Sequence, residues 1–244
     1  MKVGLFIPCY VDQFYPNAAI ATLQLLEKFG VEVTYPLTQT CCGQPMANSG
    51  YEHLTKGCNE LFIKNFEPFD YIVAPSGSCV LHVREHLHDP ANEEAATVLR
   101  HKVYELTSFL TDILQVKELN ARFPHKVGMH QSCHGQRGLK LSQMSELVAE
   151  PFSKPGSLLK MVKDLDLIEL GRTDECCGFG GTFCVTEEAV SAKMGKDRVA
   201  DHLHHGAEYI TGVDMSCLMH MEGILKRAGS KVKVIHIAEI LNAE

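Results

Sequence analysis

The sequence lacks an excess of positive charge and any long apolar run. Its 23 lysines and arginines are outnumbered by 30 aspartates and glutamates, which gives a net charge of -7 over 244 residues. A chain of this charge has no electrostatic footprint for phosphate backbones, so nucleic acid is not expected as a partner. No stretch approaches the roughly 20 apolar residues that a membrane span needs. We therefore expect no direct membrane insertion.

A secretion signal is also lacking at the N-terminus. The segment MKVGLFIPCY has one lysine and a short apolar run that ends at Pro8, whereas a signal peptide continues into a longer apolar core and a cleavage site. This segment is typical of a first strand, and the expected location is the cytoplasm. Ten cysteines are many for such a chain. In a reducing compartment they indicate metal binding or redox chemistry more than structural disulfides.

What the sequence does contain is an internal duplication. Three blocks occur twice, in the same order and at similar spacing. The pairs are KVGLFIPC and KVGMHQSC, Cys41-Cys42-Gly43 and Cys176-Cys177-Gly178, and YIVAPSGSCVLH and YITGVDMSCLMH. The segments LTSFL and IAEIL also resemble each other. We predict two homologous halves, residues 1–123 and 124–244.

Strand and helix patterns alternate within each half. Residues 3–7 and 71–74 are short apolar runs typical of buried strands, and residues 18–29 form an amphipathic helical pattern between them. A helix is also predicted over residues 187–204, with Thr186 as its N-cap. Alternating strands and helices imply parallel sheets with right-handed crossovers. The predicted fold class is α/β, with two pseudo-repeat halves, each a small parallel sheet flanked by helices.

Eight of the ten cysteines fall in the duplicated blocks, four in each half. They are Cys9, Cys41, Cys42, Cys79, Cys133, Cys176, Cys177 and Cys217. Ligands of open parallel sheets bind beyond the carboxyl ends of the strands, and four of these cysteines closely follow predicted strands. We predict that each half gathers its four thiols there. Four thiolates are the usual ligands of a [4Fe-4S] cluster and also of structural zinc.

The adjacent cysteines favour an iron-sulfur cluster over zinc. Zinc ligands are usually spaced two to four residues apart, whereas neighbouring side chains of an extended backbone diverge and reach different irons of one cluster more naturally. Gly43 and Gly178 are expected to supply a permissive backbone and the space for a cluster to approach. One or two [4Fe-4S] clusters are predicted, and zinc in one half stays open.

Four other residues are further candidates for the same site. Cys184 and Cys58 are not counted among the predicted ligands. A packed, buried position explains Cys184 equally well and Cys58 better. His82 and His220 hold equivalent positions three residues after the last cysteine of each half, where a hydrogen bond to sulfur is an open possibility.

The cysteine pattern resembles the cysteine-rich CCG domain. Two such domains in tandem occur in the cysteine-rich component of heterodisulfide reductases and in iron-sulfur components of glycolate oxidase and lactate-utilisation systems. The segments CCGQPMANSGY, CCGFGGTF and VKVIHIAEIL most resemble the cysteine-rich components of bacterial lactate-utilisation complexes. The fullest form of the motif closes with C-x-x-C, but here Ser76 and Asp214 replace its first cysteine. This departure favours a cluster held by four thiolates over a noncubane double cluster.

The resemblance implies an oxidoreductase subunit that carries electrons during oxidation of L-lactate to pyruvate. Its implied partners are a ferredoxin-like iron-sulfur subunit and a third subunit of the same complex. No residue stands out as a general base or hydride acceptor, so catalytic residues stay unassigned and the isolated chain is expected to be inactive. Glycolate or a disulfide as substrate, and a zinc-holding assembly module, remain as alternatives.

Overall fold

The computed structural model describes residues 1–244 and contains two four-stranded sheets, one in each predicted half. The first has the order β2-β1-β3-β4 and the second β6-β5-β7-β8, and every strand pair is parallel. The strands are β1 Lys2–Leu5, β2 Glu32–Thr34, β3 Tyr71–Ala74, β4 Val103–Glu105, β5 Lys126–His130, β6 Asp166–Ile168, β7 Tyr209–Gly212 and β8 Lys233–His236. The predicted fold class is confirmed.

Helices flank both sheets. Those of the first half are α1 Cys9–Phe14, α2 Pro16–Lys28, α3 Gln44–Asn48, α4 Lys56–Phe66, α5 Gly77–His86, α6 Glu93–Lys102 and α7 Leu106–Ser108. Those of the second half are α8 Lys154–Leu159, α9 Phe183–Thr186, α10 Glu188–His204, α11 Met215–Arg227 and α12 Ile237–Leu241. A 3-10 turn covers Glu52–Thr55, and π-helical turns cover Phe109–Ile113 and His134–Gly138.

The start of α10 differs from its prediction. Thr186 closes α9, and the residue before α10 is Glu187, whose side chain makes no capping hydrogen bond. The short helix α9 directly precedes α10 and packs against it, so the threonine belongs to the preceding turn. The Thr186 cap is therefore wrong, while the helix itself extends to His204 as predicted.

The largest apolar core is shared by both halves. It joins residues of β1 and α2 to residues of β5, α11 and α12, and it includes the fully buried Leu26, Val127 and Ile240. A smaller core around Phe6 and Phe66 belongs to the first half alone. Each buried large apolar side chain contributes about 1.5–3 kcal/mol, so the shared core holds the halves together as one packed unit.

The boundary between residues 123 and 124 stays a prediction. No helix of the structure is long and apolar enough to cross a membrane.

Candidate metal centres

The eight predicted thiols lie beyond the carboxyl ends of the strands. Cys9 opens α1 after β1, and Cys133 follows β5 by three residues. Cys79 and Cys217 lie in the first turns of α5 and α11, which follow β3 and β7. The two Cys-Cys pairs lie in the loops before α3 and α9. Parallel topology thus brings three separate segments of each half to one sheet edge.

Within each half the sulfurs are close together. Sγ of Cys9 lies 3.8 Å from Sγ of Cys41, and Sγ of Cys133 lies 4.0 Å from Sγ of Cys176. We call the four thiols of each half a quartet: the first quartet is Cys9, Cys41, Cys42 and Cys79, and the second is Cys133, Cys176, Cys177 and Cys217. All eight are free thiols. Burial also repeats, since the last two cysteines of each quartet are buried and the first two are half-buried.

One thiol of each quartet is strongly acidified. Hydrogen bonds from Cys42 and Cys9 lower the pKa of Cys41 to about 2. Hydrogen bonds from Cys133 and Cys177 lower the pKa of Cys176 to about 2 in the same way. The backbone N–H of the following glycine also donates to each of these sulfurs, at 3.4 Å. Each quartet therefore holds a thiolate among thiols, a donor set that suits a thiophilic metal.

Both quartets face the same cavity, which has a volume of about 250 Å³. Tyr10, Phe179 and the Gly180-Gly181 segment form part of its wall. The rings of Tyr10 and Phe179 pack edge to face with centroids 5.9 Å apart. This contact joins the first helix of one half to the glycine loop of the other. The two quartets are thus neighbours across a small, mostly apolar space.

The glycines of the two Cys-Cys-Gly motifs both have left-handed backbones. Gly43 has φ +90° and Gly178 has φ +83°, which agrees with the permissive backbone expected there. The space beside Gly178, however, is filled by protein: a Cβ there would lie 2.7 Å from Cβ of Met194 and 2.8 Å from the carbonyl oxygen of Ser191. Its missing side chain therefore allows α10 to pack closely, and the expectation that it makes room for a cluster is wrong.

Ser76 and Asp214, which replace the two missing cysteines, contact each other across the halves. They form an antiparallel bridge, and Oδ1 of Asp214 accepts from Ser76 Oγ at 2.9 Å. The same oxygen accepts from the backbone N–H of Ser78 at 2.9 Å and from its hydroxyl at 2.8 Å, while Oδ2 accepts from Ser132 Oγ. Asp214 is 1% exposed. These positions therefore join the halves beside the cavity.

A histidine that the sequence analysis did not select lies beside the second quartet. A ring nitrogen of His130 lies within 4.8 Å of the sulfurs of Cys177 and Cys217. Nδ1 accepts a hydrogen bond from Arg198 Nε at 3.2 Å, and Nε2 is buried without a partner. Burial lowers the pKa of His130 to about 3, so the ring is neutral. Phe6 holds the equivalent position in KVGLFIPC and could have marked His130 as unusual.

The other residues considered for the site have different partners. His220 Nε2 lies 3.3 Å from the carbonyl oxygen of Ser191, and the His82 ring stacks on His86 at 5.0 Å. Cys184 donates its thiol to the carbonyl oxygen of Gly181 at 3.0 Å, and Cys58 lies half-buried in α4. None of these four side chains makes a hydrogen bond to a quartet sulfur, although the buried His82 lies near Cys41 and Cys42.

Comparison with known proteins identifies both halves. The family model of the cysteine-rich CCG domain matches residues 3–84 and again residues 127–222. A protein of an Exiguobacterium species named lactate utilization protein A is 43% identical over 247 residues, covering 99% of this chain and 97% of that protein. A Geobacillus thermodenitrificans protein of the same name is 41% identical, with 99% of both chains covered.

One solved structure shares the fold. A hypothetical protein from Helicobacter pylori superposes with a TM-score of 0.63 at 12% identity, over 98% of this chain. The matched region is 48% of that protein, so this chain spans about half its length.

Proposed function

The chain belongs to the cysteine-rich CCG domain family, and from this premise we propose that it is an iron-sulfur redox subunit of a complex that oxidises L-lactate to pyruvate. The observation that carries the proposal is the pair of four-thiol quartets facing one cavity. The full-length likeness to proteins named lactate utilization protein A supports the choice of lactate over glycolate or a disulfide.

The donor set fits an iron-sulfur group. Each quartet offers four free thiols, one of them held as a thiolate, and the buried thiols lie against the apolar wall of the cavity. An iron-sulfur cluster, when bound, supplies one-electron transfer. The chain itself contributes the thiolate ligands, the backbone N–H groups of Gly43 and Gly178 that donate to sulfur, and a mostly apolar cavity wall.

The proposed partners come from the resemblance to lactate-utilisation systems, which implies a ferredoxin-like iron-sulfur subunit and a third subunit. Oxidising lactate removes two electrons and two protons, and we assign neither removal to a residue of this chain. The ten free cysteines suit the reducing cytoplasm as the place where the complex works.

Metal and sulfide analysis tests the iron-sulfur proposal. Protein purified or reconstituted without oxygen should be brown and contain up to about eight irons, with matching acid-labile sulfide, if each quartet holds a four-iron cluster. Colourless protein with zinc and no sulfide contradicts a redox role.

Zinc is the second candidate, and one sulfur–sulfur distance in each quartet favours it. In a tetrahedral zinc site with Zn–S bonds of about 2.3 Å, the sulfurs are about 3.8 Å apart. The Cys9–Cys41 sulfur distance is 3.8 Å and the Cys133–Cys176 distance is 4.0 Å. A zinc-bound quartet would make that half an assembly module, so metal should be counted separately for each half.

Activity requires a separate test. The isolated chain should not reduce an artificial acceptor with lactate, whereas mixing it with its two partner subunits should give lactate-dependent reduction. Glycolate assayed in parallel tests the substrate. Robust lactate oxidation by the flavin-free chain alone contradicts the role of an electron-carrying subunit.

A further inference from the structure

The two quartets have different surroundings on the side away from the cavity. In the first half, Cys42 and Cys79 belong to an apolar cluster that includes Phe6, Phe62 and Phe66. The ring of Phe6 packs edge to face on Phe62 and Phe66, with centroids 5.2 Å and 5.7 Å away. An aromatic hydrocarbon at this position offers sulfur no N–H group.

In the second half the equivalent position is polar. His130 replaces Phe6, is 2% exposed, and has a ring nitrogen within 4.8 Å of the sulfurs of Cys177 and Cys217. Behind it lies the fully buried Arg198, whose guanidinium also contacts Asp201 Oδ2 at 3.1 Å. The duplicated fold has thus placed the His130 ring, beside the second quartet, at the position that Phe6 occupies beside the first.

Arg198 determines which ring nitrogen carries the proton. Its Nε lies 3.2 Å from His130 Nδ1, and a guanidinium only donates, so Nδ1 accepts. An imidazole keeps at least one proton, which must therefore be on Nε2. Nε2 is buried and has no partner among the protein's atoms. A protonated Nε2 has no lone pair for a metal, so His130 acts as an N–H donor and not as a fifth ligand.

We propose that His130 donates its Nε2–H to a ligand sulfur of the second quartet and thereby gives the second-half centre a higher reduction potential than the first-half centre. Hydrogen bonds to sulfur favour the reduced state because they stabilise its additional negative charge. One electron then passes from the first-half centre to the second, and no other reactant is consumed. Arg198 is a positioning residue that fixes the tautomer. This inference rests on the iron-sulfur proposal above.

Two amide variants of the full-length chain separate the two roles of the ring. In His130→Asn the amide oxygen lies near the former Nδ1 and still accepts from Arg198, but the donor at the Nε2 position is lost. In His130→Gln the longer side chain returns an N–H group to that position. Potentials are read by a redox titration monitored by electron paramagnetic resonance, and thermal unfolding checks that both variants fold.

The asparagine variant should shift the electron partition between the centres about tenfold towards the first half, which equals about 59 mV for a one-electron couple. The glutamine variant should keep most of the wild-type separation. Phe6→Leu is the matched control and should leave the second-half potential unchanged. An intact cluster with an unshifted potential in His130→Asn overturns this inference alone, as does an equal shift of both centres.

A second measurement uses the wild-type protein, so its result does not depend on whether the His130 variants fold. With nitrogen-15 histidine, electron-nuclear double resonance should detect an imidazole nitrogen and an exchangeable proton coupled to the second-half centre. No such coupling at the second-half centre overturns the inference while leaving the iron-sulfur role intact. A protein without any cluster signal overturns both proposals.

Discussion

Glu105 is a buried carboxyl group with an unusual protonation state. Its Oε2 accepts from the backbone N–H groups of Thr107 and Ser108, while Oε1 is buried without a partner. Burial raises the pKa of Glu105 from 4.5 to about 7. Because the folded pKa lies above the unfolded one, the folded state binds the proton more tightly. The contribution of Glu105 to the free energy of unfolding is complete below pH 4.5 and is lost as the pH rises through 7.

The first prediction is that Glu105→Gln reduces the pH dependence of stability between pH 5 and 8. The shift from 4.5 to about 7 corresponds to roughly 3 kcal/mol of unfolding free energy at most. Urea unfolding of the wild-type protein and of Glu105→Gln at several pH values gives the difference in unfolding free energy. Titration of the other groups is common to both proteins and cancels in this difference. Parallel curves for the two proteins would show that Glu105 is ionised in the fold.

The second prediction concerns the independence of the quartets. Cys177→Ser should lower bound metal by about half, because Cys177 belongs to the second quartet and its contacts lie with Cys176 and Cys217. Cys184→Ser is the matched control and should leave metal content unchanged, since its thiol donates to a backbone carbonyl. Loss of all metal in Cys177→Ser points to one site spanning both halves.

The grouping of four thiols in each half was predictable because duplication marks these cysteines twice, whereas the neighbours of sulfur were not. His82 and His220 each follow a quartet cysteine by three residues in sequence. In the structure the His82 ring stacks on His86, and the His220 ring contacts the carbonyl oxygen of Ser191. His130 lies three residues before Cys133 and reaches the quartet only through the fold. The sequence marks His130 because it replaces Phe6 in otherwise similar blocks. A buried phenylalanine is rarely replaced by a polar ring unless that ring has a hydrogen-bond partner.

At the scale of elements, the glycines of the Cys-Cys-Gly turns have a left-handed backbone and also lie close to packed neighbours. The third prediction compares three glycines with left-handed φ: Gly50, Gly43 and Gly178. Gly50→Ala should cost only the backbone term of about 1–2 kcal/mol, because nothing lies within 4 Å of the added Cβ. Gly178→Ala should add about 1–3 kcal/mol of overpacking against Met194 and the Ser191 carbonyl.

Gly43→Ala should fall between these two, since its nearest neighbour is the Thr55 methyl group at 3.0 Å. Urea unfolding at one pH ranks the three variants. Equal losses would mean that the space beside Gly178 relaxes freely, and the close packing of α10 would then not depend on glycine.

Elements with a clear apolar run or helical periodicity could be predicted from sequence, and strand β4 could not. The strand at residues 71–74 and the helix at 18–29 were predicted to within two residues because periodicity and burial agree there. Strand β4 has only three residues, too few to show alternation, and was missed. Its counterpart β8 lies in the longer run KVKVIHI, so the duplication itself could have revealed β4.

At the scale of the whole molecule, the contact of Ser76 with Asp214 pairs equivalent positions of the two halves. The fourth prediction uses this pairing. Ser76→Asp should cost about 3–5 kcal/mol because a second buried carboxylate faces Asp214 without a partner. Asp214→Ser alone should cost about 1–3 kcal/mol by leaving buried donors unsatisfied.

The double variant, Ser76→Asp with Asp214→Ser, should recover part of the loss because it restores one carboxylate opposite one hydroxyl. Ser216 holds the position equivalent to Ser78, so a serine also follows the new hydroxyl by two residues. A double-mutant cycle by urea unfolding measures the recovery. Simple addition of the two single losses would mean that the positions do not interact across the halves.

The apolar core shared by the two halves has a consequence for the lifetime of the protein in the cell. A chain that unfolds as one unit is stabilised throughout by a ligand bound in either half, and emptying one site lowers the stability of both halves by that ligand's contribution. During metal starvation, proteases that attack the open chain would therefore remove the whole polypeptide and not one half. If the quartets hold metal as proposed, abundance would follow the supply of metal.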